Sequence, residues 1–215
     1  MSRTRLGRDF FAREPHVVAR ELLGSILVTG DGSDVVAVRL TETEAYHGAT
    51  DPASHAYRGR TARNAVMFDE AGHLYLYFVY GMHWCANIVT GPPGEPSAVL
   101  LRAGEVIEGL NVARARRPAV HRDSQLASGP ARLAAVLGWG DRDRALRAYG
   151  GDLCSAPAVA EVFAGERGPA AGAVAVAVGP RVGVAAAKDE PLRFWNEGDP
   201  TVSAYRPQVR RNRRP

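Results

Sequence analysis

Glu42, Glu44 and Tyr46 fall at alternate positions of the run TETEAY, so an extended strand sets all three on one face. Two carboxylates and a phenol on one face can hold a water and take its proton. Glutamate is uncommon inside a protein unless it is paired or does chemistry. The ordinary alternative is a solvated strand face. The irregular stretch after Tyr46 favours a face that opens toward a pocket wall. A sugar glycosidase is a poor fit, because carboxylates two residues apart on one strand cannot flank a scissile bond from opposite sides.

A second group is aromatic. Tyr75 and Tyr77 point the same way from one strand, where tyrosine usually packs. Tyr80 precedes Gly81 and Met82 at a tight hairpin tip, where an aromatic can act as a wedge between bases. His55 stands alone in a loop, which more often means a satisfied structural histidine. His47, Asp51 and His55 match no metal-ligand spacing, and Cys85 and Cys154 are far apart. No metal and no cofactor is expected. Ser128-Gly129-Pro130-Ala131-Arg132 opens a helix whose free N–H groups and arginine suit a phosphate.

The 215 residues, 46% of them hydrophobic, can bury one full core. The net charge is +4, and arginines cluster at Arg58, Arg60 and Arg63, at Arg114, Arg116 and Arg117, and from Arg206 to Arg214. That distribution fits a polyanion better than the net charge alone does. Lys188 is the only lysine. A Schiff-base mechanism needs an amine, and Lys188 sits in no motif assigned to the site. No apolar run reaches the roughly 20 residues of a membrane span, and no signal peptide is evident, so the cytoplasm is the expected compartment.

The elements that must position these residues follow from periodicity. The spacing predicts a helix over 15–23 stopped by Gly24, and a hairpin of strands 25–29 and 35–44 around the turn 30–34. Residues 47–64 form a long irregular loop, a length usually kept for function. Strands are expected at 74–79 and 84–90, joined by a type II′ turn with Gly81 at its first central position, then at 98–103, 174–178, 182–186 and 192–195. Helices are expected at 105–116, from Pro130 to Gly138, and at 141–149. Connections this short leave no room for regular βαβ crossovers, so the class is mixed α/β with mostly antiparallel neighbours. One domain over 1–205 is expected, with an Arg-rich, mobile tail at 206–215.

In order along the chain stand LGRDFF, VARELLG, ETEAY, His55, RN..MF, G.LY.Y..YGM...N, LLRA, SGPARL and PLRFW. This series, from Leu6 to Ser203, resembles the alkyladenine (3-methyladenine) DNA glycosylase family. The resemblance implies a curved, mostly antiparallel sheet flanked by helices, like a formyltransferase C-terminal domain. It implies a monomer that works on double-stranded DNA containing damaged purines, with no membrane and no obligate protein partner, at the nucleoid if bacterial. A damaged purine is rotated out of the duplex and water cleaves its N-glycosidic bond. By the same resemblance Glu44 is the general base, and Arg102 helps hold the water and a phosphate. Tyr46, His55 and Tyr77 sandwich the base, and Asn87 tests the purine 2-position. Tyr80, with Met82 beside it, fills the vacated stack. Arg132 falls on a phosphate-contacting lysine position. Arg60 and Arg63 contact DNA from a loop one residue shorter than the family pattern. The implied activity is monofunctional. The alternative is a protein that flips damaged bases without cutting.

Overall fold

The computed structural model describes residues 3–79, 81–165 and 175–207. Strand β1 (Ile26–Thr29) and the long β2 (Val36–Tyr46) form the expected hairpin. Next come β3 (Leu74–Val79), β4 (His83–Thr90) and β5 (Ser97–Glu108). Three short strands complete the sheet: β6 (Ala160–Phe163), β7 (Val176–Gly179) and β8 (Arg193–Asn196). The principal order is β3-β4-β5-β2-β1-β6, and β8 joins β2 and β7. Every pairing is antiparallel. The fold is mixed α/β with an open antiparallel sheet, as expected.

β2 is the spine of the molecule. It pairs with β5 along one edge, and with β1 and then β8 along the other. Its register against β5 shifts between Ala37 and Val38 and twice between Leu40 and Thr43. Each shift adds a local bend and re-aims the side chains beyond it, and these lie just ahead of Glu44.

The helices are short: α1 (Arg8–Phe11), α2 (Pro15–Glu21), α3 (Leu110–Arg116), α4 (Pro130–Val136) and α5 (Arg142–Ala148). Pro15 and Pro130 open α2 and α4, where a missing N–H costs nothing. Asp141 caps α5, its carboxylate accepting from the Arg144 N–H at 2.9 Å. The main core, with Leu27, Leu40, Leu74, Ile88, Leu101, Leu126 and Leu133, includes the buried faces of α2 and α4. A second cluster of Ala56, Val66, Met67, Tyr75, Val89 and Ala98 lies beneath the long loop.

Three local expectations fail. Residues 105–108 continue β5 instead of starting a helix, because Val38 pairs with Val106 and Arg39 bonds Glu105 at 2.6 Å across the ladder. Tertiary pairing overrides helix propensity here. Residues 182–186 form no strand: Gly183 has φ +71 and breaks the extended run. In the 79–82 turn, the Met82 N–H donates to the Val79 carbonyl at 3.0 Å, which puts Gly81, φ +68, at the second central position. The start of the 174–178 strand lies outside the described residues. β6 and α1 have no counterpart in the sequence reading.

Candidate active site

The loop at 47–64 is tied down at both ends. At its start Gly48 has φ +64, and a Cβ there would meet the Pro96 carbonyl oxygen at 1.3 Å, so only glycine fits. At its end the buried Asn64 amide donates to the carbonyls of His55 (3.0 Å) and Gly59 (3.1 Å). Its oxygen accepts from the Thr61 N–H at 2.6 Å. The loop therefore forms one wall of a cavity of about 560 Å³. Tyr46, His55, Tyr77, Asn87 and Arg102, all marked in the sequence, line it together, with Pro130, Ala131 and residues 182–186 on another side.

Aromatic rings shape the floor. His55 sits edge-on to Tyr77, centroids 4.5 Å apart, and its Nδ1 lies 2.9 Å from the Tyr75 hydroxyl. Tyr75 and Tyr77 are stacked at 5.7 Å. Burial, and then the charge of Arg63, hold His55 below its ordinary value, so its ring is neutral at neutral pH. Burial pushes Tyr75 up to about 12. Asn87, 5% exposed, donates its amide to the Tyr75 carbonyl at 3.2 Å.

Glu44 is fully buried and stands one layer behind the wall. Its Oε1 accepts from the Val182 N–H at 2.7 Å and faces Arg102 Nη1 at 3.1 Å. Its Oε2 accepts from the Tyr46 hydroxyl at 2.8 Å. All three donors belong to cavity-lining residues. A carboxylate offers about four lone-pair positions, so among the described residues one position on Oε2 stays open.

Glu42 differs. Its Oε1 accepts from Arg102 Nε (2.6 Å), Arg193 Nε (2.7 Å) and the Ser203 hydroxyl (2.9 Å), and its Oε2 from the Ser203 N–H (2.8 Å). Burial works against its charge, but Arg102, Arg193 and Ser203 outweigh that and hold the carboxyl below its ordinary value. Of its donors only Arg102 lines the cavity. The solvated-face alternative fails for both glutamates, since each is 0% exposed. Burial also penalises the Arg102 charge, yet Glu44 and Glu42 raise it further above its usual value.

The remaining expected residues lie outside the cavity wall. Met82 is 67% exposed at the hairpin tip. Arg63 reaches the Phe78 carbonyl at 3.2 Å, and Arg60 lies 5.8 Å from the Phe68 ring. Arg132 is exposed on α4, next to the lining residues Pro130 and Ala131. Tyr80 and the tail beyond Pro207 lie outside the described residues. Asp51 and His55 engage Arg181 and Tyr75 rather than sharing a centre with His47. Among the described residues one trio, Glu14, His16 and His47, brings potential ligand atoms within 4.8 Å of one another, and none of it lines the cavity.

Sequence reasoning missed two contributors, the Val182 N–H and the Arg181–Asp51 pair. Arg181 donates to Asp51 through both terminal nitrogens, Nη2 at 2.9 Å, and to the Ala45 carbonyl at 3.1 Å. The one local signal was Gly183 interrupting an apolar run.

A sequence model of the methylpurine-DNA glycosylase (MPG) family matches residues 9–200, and the chain belongs to that family of DNA glycosylases. It is 50% identical over 220 residues to a protein of Streptomyces avermitilis named "Putative 3-methyladenine DNA glycosylase", covering 99% of this chain and 97% of that one. Proteins of the same name from Nocardia farcinica and Burkholderia orbicola are 50% and 45% identical, across 90% and 94% of this chain. No helix among the described residues is long and apolar enough to cross a membrane.

Proposed function

We propose that this chain flips alkylated or deaminated purines out of duplex DNA and hydrolyses their N-glycosidic bond, with Glu44 as general base toward water. The observation that carries the reading is that all three donors to Glu44 line the cavity, while of the donors to Glu42 only Arg102 does, and Glu44 Oε2, with one hydrogen bond, has a position for a water. A water bound there gives its proton to the carboxylate as its oxygen attacks the anomeric carbon. Arg102 holds Glu44 through an ion contact at 3.1 Å and offers charge to the neighbouring phosphate. The electron pair of the broken C–N bond leaves with the purine.

An N3- or N7-alkylated purine is cationic and departs as a neutral molecule, so one carboxylate suffices. Tyr46, His55 and Tyr77 stack on the flipped base, and a cation over each aromatic face gains roughly 0.5–2 kcal/mol. Asn87 tests the purine edge. Flipping costs a few kcal/mol, least at damaged or mispaired bases, which adds selectivity. Met82 at the hairpin tip, with Tyr80 of the same sequence motif, fills the gap left in the stack. Arg60, Arg63 and Arg132 bind phosphates, so affinity falls steeply with salt.

The reaction is monofunctional. Lys188 is 70% exposed at its side chain, lies 3.9 Å from Asp189, and does not line the cavity, so among the described residues no amine is presented to the sugar. The test is a panel of duplex oligonucleotides, each with one lesion, assayed for free base. Release of alkylpurine with the strand left intact is the expected result. Tight lesion binding with no release of any base favours instead a protein that flips damage without cutting.

A further inference from the structure

Arg181 is 1% exposed and among the largest fully buried side chains, and its guanidinium lies 4.6 Å from the centre of the Tyr46 ring. Tyr46 lines the cavity and Arg181 does not, so the cation backs the ring from the protein side. Asp51, 3% exposed, pairs with both terminal nitrogens of Arg181. Arg181 Nε has no partner, one of two such buried side-chain atoms among the described residues. Packing alone does not explain this arrangement, because an apolar side chain of similar reach would fill the space without an orphaned donor.

The electrostatics of the ring give it a consequence. An aromatic face attracts cations through its quadrupole. A guanidinium on one face draws on that density and repels a second cation stacked on the other. Asp51 cancels the net charge, so the pair acts as a dipole with its positive end toward Tyr46. Tyr77 has no such cation over it among the described residues.

We propose that the buried Arg181–Asp51 pair sets substrate specificity through Tyr46: it tempers the ring's preference for cationic purines and lets neutral lesions compete for the same pocket. Arg181 is a positioning residue that touches no substrate. The inference rests on the glycosylase reading above.

The test is single-turnover release of cationic N7-methylguanine and of neutral 1,N6-ethenoadenine from otherwise identical duplexes, by the full chain. In the double variant Arg181→Gln with Asp51→Asn the positive end is gone, and the cationic-to-neutral rate ratio rises roughly three- to tenfold. In Asp51→Asn alone the cation is no longer neutralised, and the ratio falls below that of the wild type. Arg181→Lys keeps the charge and stays within about twofold of it. Either of the first two variants decides the matter if the other fails to fold. A common drop in both rates with the ratio unchanged means the pair is only structural and overturns the proposal. So does a wild type that releases N7-methylguanine but no ethenoadenine. A wild type that releases neither base removes the glycosylase reading itself, and the proposal with it.

Discussion

Glu42 and Glu44 are bound by different nitrogens of one guanidinium: Arg102 Nε lies 2.6 Å from Glu42, and Nη1 lies 3.1 Å from Glu44. One arginine thus couples a carboxylate whose other donors, on Arg193 and Ser203, lie outside the cavity wall to one whose three donors all line it.

Glu42→Gln should therefore register mainly as lost stability. It leaves the buried Arg193 without a carboxylate partner and Arg102 with Glu44 alone, a loss of about 3–5 kcal/mol for a broken buried pair. Glu44→Gln breaks one ion contact and should lose less. Chemical denaturation of the two variants checks this, and the reverse order contradicts the division of labour. Glu42 is consequently not a neutral control for catalysis.

Stability should fall on acidification in a definite window. Burial opposes the charge of Asp152, but Ser155, the Cys154 N–H and Arg8 lower its carboxyl to about 2. Its unfolded value is about 3.9. The contribution is present in full above that value and is lost as pH falls through the folded one. Glu42 and Asp51, both held below their ordinary values, act in the same direction. Denaturation midpoints for wild type and Asp152→Asn, measured from about pH 5 to about pH 2, should converge at the acid end. Parallel curves would refute the assignment.

Tyr46→Phe removes the hydroxyl that donates to Glu44 at 2.8 Å while keeping the ring. A hydrogen bond to a charged group is worth about 1.5–3 kcal/mol. Base release should slow roughly ten- to hundredfold, with lesion binding close to wild type. A loss of binding without a change in the bound-state rate would mean that the hydroxyl recognises the base instead of holding the carboxylate.

The near absence of lysine gives a test that depends on no substitution. Borohydride added during turnover should trap no covalent adduct, and product strands should stay whole until alkali is applied. A trapped adduct would show that an amine reaches the sugar.

The sequence disclosed the parts of this site that local pattern encodes. Alternation put Glu42, Glu44 and Tyr46 on one strand, and the ordered motifs singled out His55, Tyr77, Asn87 and Arg102, all found at the cavity. What stayed hidden depends on contacts between distant residues. Asp51 and Arg181 are 130 positions apart, and neither carries a local mark of the other. Residues 182–186 have the composition of a strand, yet Gly183 turns them into a wall whose first N–H serves Glu44. The 105–108 segment favours helix by composition and is held extended by the partners of β2. The resemblance singled out Glu44, but the contacts that hold Glu42 were invisible, because Arg193 and Ser203 reach it from the far end of the chain.

The most direct measurement is single-turnover release of an alkylated purine by Glu44→Gln at saturating enzyme, with lesion binding measured alongside. The substitution keeps shape and removes the basic oxygen, and a positioned general base contributes ~100- to 10,000-fold. The account predicts near-wild-type lesion binding with release at least ~100-fold slower. Release close to the wild-type rate would contradict it.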